Sequence, residues 1–340
     1  MSTTTVIGQN IHIPGAHEFP GIRFRNFNGP MDFPGMVEVI RRCTDADQIK
    51  RVVTVQDIET FFKHLTNCDP YRDLLLAEKD DSLIAYVRVD WQEQSDGQRI
   101  YRMILNIDPE IRGYGMECGM LRYAETHLRK IAADHPNGSR KFFEMGVDEK
   151  EIDKKSLLEK ADYKPDRYFF EMNRDLNEPL PETSMPEGLE VRPAKPDQYR
   201  TIWNAMDEAF RDHWGHRDYT EEDYQGWISN RWFQPNLWKV AWDGDEVAGT
   251  VLNFIDDVEN ESFARKRGYT EDICVRRPWR RRGLARSLLV QSMEELRELG
   301  MKETALGVDT QNLSGALRLY LGVGYHREHC HIVYRKPLDD

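Results

Sequence analysis

Val275-Arg-Arg-Pro-Trp-Arg280-Arg-Arg-Gly283-Leu-Ala285-Arg286-Ser287 packs six arginines, Arg276, Arg277, Arg280, Arg281, Arg282 and Arg286, into a short stretch of a chain whose formal charge is −12. Composition alone reads such a run as a nucleic-acid patch or a solvated charge run. Its position favours a different reading. The run sits between a short strand ending at Ile273-Cys274-Val275 and an amphipathic helix that starts near Gly283, with Leu284, Leu288, Met293 and Leu296 on one face and Gly300 as its stop. Gly283 and the small Ala285 let a ligand approach the backbone. The helix N-terminus adds unpaired N–H groups and a partial positive charge, so the turn is suited to phosphate.

The pattern around this turn is mixed α/β. Asp197 to Phe210 reads as a helix, with Ile202, Met206 and Phe210 four apart. Trp238–Trp242 and Val247–Asn253 read as a hairpin about Asp243-Gly244-Asp245. After the arginine helix come a strand (304–308), a helix (314–321) and strand-like segments around Tyr325 to Tyr334. A strand–helix–strand unit within a sheet of hairpins is α+β or α/β in character.

This pattern occurs twice. LAEKDDSLIAYV (76–87) overlays VAWDGDEVAGTV (240–251), and IDPEIRGYG (107–115) overlays VRRPWRRRG (275–283). MGVD (145–148) overlays LGVD (306–309), and LLEKADY (157–163) overlays LYLGVGY (319–325). Order is kept throughout, which marks a duplicated domain. The expected organisation is an N-terminal extension (1–18), a first domain (19–176), a proline-containing linker (177–186) and a second domain (187–340).

Composition sets the outer limits. The chain has 340 residues, 39% of them hydrophobic, enough to fill the cores of two domains. The acidic balance excludes wholesale coating of nucleic acid or anionic membrane. No apolar run spans a bilayer, and the opening residues lack a secretory pattern. Five cysteines are scattered without a CxxC pair, so a disulfide framework or zinc site is not expected. The expectation is a cytoplasmic protein with no membrane or nucleic-acid partner.

Arg280-x-x-Gly283-x-Ala285 resembles the Q/R-x-x-G-x-G/A signature of the GNAT superfamily of acyl-CoA-dependent N-acyltransferases. Asn312 to Tyr325 is similar to the family's second signature, with one extra residue between Asn312 and Ala316 and Tyr325 in place of Phe. The resemblance implies two tandem GNAT-like domains, each a mixed, mostly antiparallel sheet flanked by helices. It implies acetyl-CoA as cosubstrate and no metal. The pyrophosphate would lie on the turn formed by Arg281, Arg282, Gly283, Leu284, Ala285, Arg286 and Ser287. The pantetheine arm would lie along Ile273, Cys274 and Val275, and Arg276, Arg277, Arg280 and Asn312 would complete the cofactor side. The first copy departs from the pattern. Glu117 stands where Ala285 does, Leu158 where Tyr320 does and Asp162 where Gly324 does, so it reads as a degenerate copy. Tandem members with one working half occur in the family, a layout shared with relatives of mycothiol synthase.

The resemblance also implies roles. Tyr320 matches the tyrosine that protonates the leaving thiolate. Glu271 is the candidate base, with Asp272 or solvent as alternatives; strand alternation puts Glu271 on the face of Ile273 and Val275 and turns Asp272 away. An oxyanion donor would be a backbone N–H near Cys274–Val275. Asp212, His213 and Trp214 follow the first helix, where the family builds its acceptor wall. Seven of the eight tryptophans lie at or after Trp203, which suggests either an aromatic-edged pocket for an amine or core filling. His326, His329, Cys330 and His331 alternate along a late strand and do not read as a joint metal site. The expected activity is N-acetylation of a small-molecule primary amine. Acetylation of a protein N-terminus or lysine, or acyl-CoA sensing without turnover, are the alternatives.

Overall fold

The computed structural model of the protein describes Ile11, Ile13 and residues 20–136, 138–312 and 314–339. Residues 1–18, expected as an extension, lie almost wholly outside the described residues. The chain divides into two compact units: Met1–Asp166 with Ile332–Asp340, and Arg167–His331. This differs from the contiguous segments expected from the repeat. Residues 167–176 belong with unit two and 332–340 with unit one, because strand pairing rather than the order of the repeat sets the grouping.

Unit one runs β1 (Ile22–Asn26), α1 (Phe33–Ala46), α2 (Val55–Lys63), α3 (Pro70–Asp73), β2 (Leu74–Lys79), β3 (Ser82–Glu93), β4 (Arg99–Ile107), α4 (Met116–Ala133), β5 (Lys141–Asp148) and α5 (Ile152–Lys160). The strands pair in that order, and residues 332–337 from the end of the chain follow β5. The β2–β3 turn sets both Asp80 and Asp81 at positive φ, 49° and 59°, the twist a two-residue hairpin needs. β4 and β5 are parallel over Arg99–Arg102, joined through α4, since a parallel pair requires a crossover.

Unit two repeats the plan. It takes β6 (Lys164–Asp175) from Arg167 onward, then β7 (Glu190–Arg192), α6 (Tyr199–Phe210), α7 (Glu221–Ser229), β8 (Lys239–Asp243), β9 (Glu246–Ile255), α8 (Asp257–Ser262), β10 (Arg267–Val275), α9 (Leu284–Glu298), β11 (Glu303–Asp309) and α10 (Ala316–Gly322). β12 (His326–Pro337) belongs to this unit up to His331. The sheet order is β7-β8-β9-β10-β11-β6-β12, antiparallel at its hairpins and parallel between β10 and β11.

The sheet of unit two is buried on both faces. On one, Ile202, Met206 and Ala209 of α6 pack with Trp238, Val240, Trp242, Leu252 and Cys274. On the other, Leu284, Leu288, Leu289, Met293 and Leu296 of α9 pack with Ala248, Val251, Leu306 and Val308. Each large side chain so buried contributes about 1.5–3 kcal/mol. The stretch expected as a linker is an ordered strap along α9, where Leu180 and Met185 join the core. No helix among the described residues is long and apolar enough to cross a membrane.

α9 reaches the sheet closely because β10 carries Gly268. A Cβ there would stand 2.5 Å from Leu296 Cδ2, and Leu296 is fully buried. Gly268→Ala is therefore expected to destabilise unit two by about 1–3 kcal/mol in urea denaturation, the range for overpacking a tight core. An unchanged midpoint would show that α9 can move off the sheet at no cost.

Candidate active site

β10 and β11 pair only over Arg267–Tyr269 with Glu303–Ala305, then part. Beyond that point Glu271 bridges the gap, its Oε1 accepting from Gly307 N–H at 3.0 Å. On its other edge β10 stays paired with β9, but a bulge interrupts the ladder: Glu271 faces Leu252 and Cys274 faces Thr250. Asp272 takes the extra position with φ 46°, a left-handed conformation uncommon for a residue other than glycine. Its carbonyl accepts from Thr250 Oγ1 at 2.8 Å, which holds the kink.

The bulge corrects the expected alternation. Leu252 and Cys274 lie on the α6 face, whereas Ile273 and Val275 join the α9 core. Glu271 thus shares a face with Cys274, not with Ile273 and Val275, because one unpaired residue inverts the parity beyond it. Asp272 is not turned to the opposite side from Glu271 in the simple way alternation implies. Its charge acts on Glu271, Cys274 and Tyr219 alike.

Burial dominates the electrostatics at this parting. It pushes the Glu271 carboxyl up to about 8; the neighbouring Asp272 adds to the rise and the Gly307 N–H opposes it. Burial pushes Asp272 up to about 6, and its carboxyl has no hydrogen-bond or ion-pair partner among the described residues. Tyr320 is 5% exposed, and its hydroxyl has no hydrogen-bond partner among the described residues. Burial raises its pKa well above the usual tyrosine value, and the charges of Glu271, Tyr325 and Cys274 raise it further. Tyr325, by contrast, is fixed in the core by Thr270 Oγ1 at 2.7 Å. The Cys274 thiol is pushed up to about 11 by burial, so it stays a neutral core group.

After β10 the chain makes one 3-10 turn (Arg277–Trp279) and enters α9 through Gly283, φ 86°. Arg281 also holds a positive φ, 61°. Alternating conformations of this kind turn successive N–H groups toward one concavity. No side chain caps α9, and the N–H groups of residues 281–286 have no acceptor among the described residues, as expected of the first turn of a helix. A Cβ at Gly283 would meet nothing within 4 Å, so the glycine answers to its positive φ rather than to crowding.

The six arginines divide into two sets. Arg276 pairs with Glu208 at 2.7 Å, and Arg277 with Asp212 at 2.5 Å. Arg280 is a brace: its Nε donates to Val275 O at 2.9 Å, while Nη1 meets Asp212 and Nη2 meets Ala209 O, both at 3.1 Å. These three tie the loop to the end of α6. Among the described residues Arg281 has no ion pair, and Arg282 and Arg286 donate to backbone carbonyls alone, Glu187 O and Gly322 O. Ser287 is fully buried with its hydroxyl on Met185 Sδ, facing the strap rather than the concavity. Asn312 shapes the turn into α10, its Oδ1 accepting from Ser314 N–H at 2.8 Å.

The three residues singled out after the first helix part company. Asp212 is held by Arg277 and Arg280, which keep its carboxyl below the usual range. His213 packs edge-on against Phe210 at 4.6 Å, and burial lowers its pKa. Trp214 lies over Phe169, 6.0 Å between centroids, with the Arg167 guanidinium on its ring. Trp227 stacks on Trp238, with Phe233 edge-on to Trp238 and Trp203 tilted against Trp227, while Trp232, Phe254 and Tyr269 form a ladder beside β9 and β10. Sequence reasoning missed that ladder and the acidic group beside it. Glu171, Glu328 and His329 bring ligand atoms within 4.8 Å of one another. A cation already serves that group: Arg267, 2% exposed, meets Glu303 and Glu328 at 2.8 Å and Glu171 at 3.1 Å.

The loop of unit one has the same backbone course with Gly113 at φ 83° and Gly115 at φ 92°. There one N–H of the loop is taken from within: Glu117 Oε1 accepts from Gly113 N–H at 2.8 Å. Arg112 takes the bracing role of Arg280, with Nε on Ile107 O and two bonds to Asp47.

In unit two a parted pair of parallel strands is followed by a glycine-entered helix with free N–H groups, and residues 199–325 match the acetyltransferase (GNAT) family. That match covers a part of unit two, and the proteins this chain is similar to include mycothiol acetyltransferases. The chain is 30% identical over 174 residues to the mycothiol acetyltransferase of Thermobispora bispora, a match that covers 50% of this chain and 57% of that protein. It is 24% identical over 310 residues to the mycothiol acetyltransferase of Geodermatophilus obscurus, covering 90% and 95% of the two. The crystal structure of a GCN5-related N-acetyltransferase from Sphaerobacter thermophilus shares the fold, with a TM-score of 0.69, 24% identity and coverage of 94% of this chain and 96% of that one.

Ala285 is the counterpart of Glu117. Ala285→Glu is expected to put a carboxylate at the second loop as Glu117 does at the first and to weaken acetyl-CoA binding about 10- to 100-fold in calorimetry. Unchanged affinity would reject this loop as the pyrophosphate site.

Proposed function

We propose that unit two transfers an acetyl group from acetyl-CoA to the primary amine of a small molecule, and that unit one takes no part in the chemistry. The observation that carries this reading is the contrast between the two loops: N–H groups 281–286 have no acceptor among the described residues and three arginines stand beside them, whereas in the matching loop of unit one a carboxylate, Glu117, takes the Gly113 N–H and puts negative charge where an anion would lie. Arg281, Arg282 and Arg286, not committed to carboxylates, would screen the phosphates; Arg276, Arg277 and Arg280 would hold the loop in shape. The thioester supplies an activated acyl group, and the edge of β10 freed by the parting would align it.

In this reading Glu271 takes the proton from the acceptor ammonium. A base with a pKa of about 8 is well placed for that task near neutral pH. The amine nitrogen then bonds to the acyl carbon and the carbon–sulfur bond breaks; the Tyr320 hydroxyl gives its proton to the departing sulfur, and the surplus proton on the nitrogen passes to the tyrosinate, which leaves a neutral amide and restores the hydroxyl. A tyrosine whose pKa burial has raised remains protonated over the working pH range. Asp272, ionised above about 6, would add negative charge that attracts an ammonium. The relatives named mycothiol acetyltransferase put a mycothiol-type amine first among acceptors to try.

Mass spectrometry of an amine library incubated with acetyl-CoA tests the assignment. Tyr320→Phe is expected to lower kcat about 100-fold with little change in KM. If wild type and variant are equally inert toward every amine while acetyl-CoA still binds, the chain is a sensor. Acetylation of peptides but of no small amine would move the acceptor to protein.

Glu271 also fixes the pH dependence. The active form is the ionised one, so kcat/KM should climb about tenfold per pH unit below its raised pKa and level off above about 8. Glu271→Gln should flatten that limb. A wild-type profile already flat between pH 6 and 9 would exclude Glu271 as the base.

A further inference from the structure

Gly307 has no structural reason to be a glycine. It stands inside β11 between Leu306 and Val308, both buried in the α9 core, so its own position turns to the other face of the sheet, the face of Glu271. Its φ lies outside the left-handed region. Among the described residues an added Cβ would meet one atom, Glu271 Oε1, at 3.9 Å, which is ordinary contact. Glycine weakens the interior of a strand, and where neither backbone nor crowding demands it, it marks a place that a ligand approaches closely. Gly307 is exposed even though β11 has a strand on either side, β10 and β6.

The bare backbone is bounded on four sides. Across the sheet, Glu271 takes the Gly307 N–H at 3.0 Å, and β6 sets Glu171 opposite Gly307. Along β11, two residues away in each direction, Ala305 faces Tyr269, which stacks on Phe254, and Asp309 faces Phe169, on which Trp214 lies. Glu171 already pairs with Arg267 and His329, whereas Glu271 has no ion pair among the described residues. A floor without a side chain, a carboxylate with no counter-charge at its edge and aromatic rings at both ends suit an organic cation.

We propose that Gly307 is a specificity-determining residue of the acceptor site: the carbon body of the acceptor lies on its bare backbone while the nitrogen sits at Glu271. The class selected is a primary amine whose body extends several bonds from the nitrogen, since the floor runs from Glu271 toward Glu171 across two strand spacings, about 10 Å. This rests on the transferase reading and adds to it a residue and a size preference. Unit one keeps an exposed glycine in the matching place, Gly146, but its β4 carries no carboxylate and so has no counterpart of Glu271.

The test is calorimetry on the full chain saturated with CoA, which has no acyl group to transfer, at a pH above 8, where Glu271 is ionised. The probes are ethylammonium and n-hexylammonium. Wild type is expected to bind n-hexylammonium about tenfold or more tightly than ethylammonium, because only the longer chain covers the floor. Gly307→Val is expected to remove that difference, with CoA affinity unchanged and the melting temperature no lower, since valine suits a strand. Gly146→Ala, the control in unit one, is expected to change none of these quantities. Equal n-hexylammonium affinity in wild type and Gly307→Val would overturn the proposal. So would a loss of CoA affinity in Gly307→Val, which would put the cosubstrate rather than the acceptor over Gly307. If wild type binds CoA but neither amine, the amine-transfer reading itself fails and this inference falls with it.

Discussion

The strand end and loop of unit two take their form from β10 leaving β11 after three paired residues. Had the two strands stayed in register, the edge of β10 would be satisfied by β11 and no ligand could lie along it. The parting is held open from both sides. Glu271 spans it to the Gly307 N–H, and the bulge at Asp272, secured by Thr250, bends β10 toward β9. The same bend brings two carboxyls into protein surroundings that raise both.

The loop that follows is shaped by ion pairs rather than by its glycine alone. Arg276, Arg277 and Arg280 reach back to Glu208, Asp212 and Ala209 at the end of α6, so the helix that packs on one face also sets the loop at the strand end. Unit one keeps the brace, through Arg112 and Asp47. On nearly the same backbone, the two loops differ at one helical position, Glu117 against Ala285, and so in the carboxylate that takes the Gly113 N–H.

Much of the fold is legible in the sequence. The spacing of Leu284, Leu288, Met293 and Leu296 reads directly as α9, Gly300 ends it, and the Asp243–Asp245 turn joins β8 to β9 as expected. The unfavourable glutamate in the first loop was legible too, as charge; its bond to Gly113 was not. Three features leave no mark on a single chain. The bulge adds one residue, Asp272, with no glycine to announce it. The arginine partners lie on α6, far along the sequence. The grouping of 167–176 and 332–340 follows sheet pairing, which a repeat alignment does not record.

On the proposed function only the loop of unit two takes an anionic cosubstrate. The most direct measurement is the stoichiometry of acetyl-CoA binding to the full chain, by calorimetry or native mass spectrometry. One molecule per chain is the predicted result. Two per chain would mean that the Glu117 carboxylate does not keep an anion from the first loop, and none would mean that the N–H groups at 281–286 do not form an acyl-CoA site.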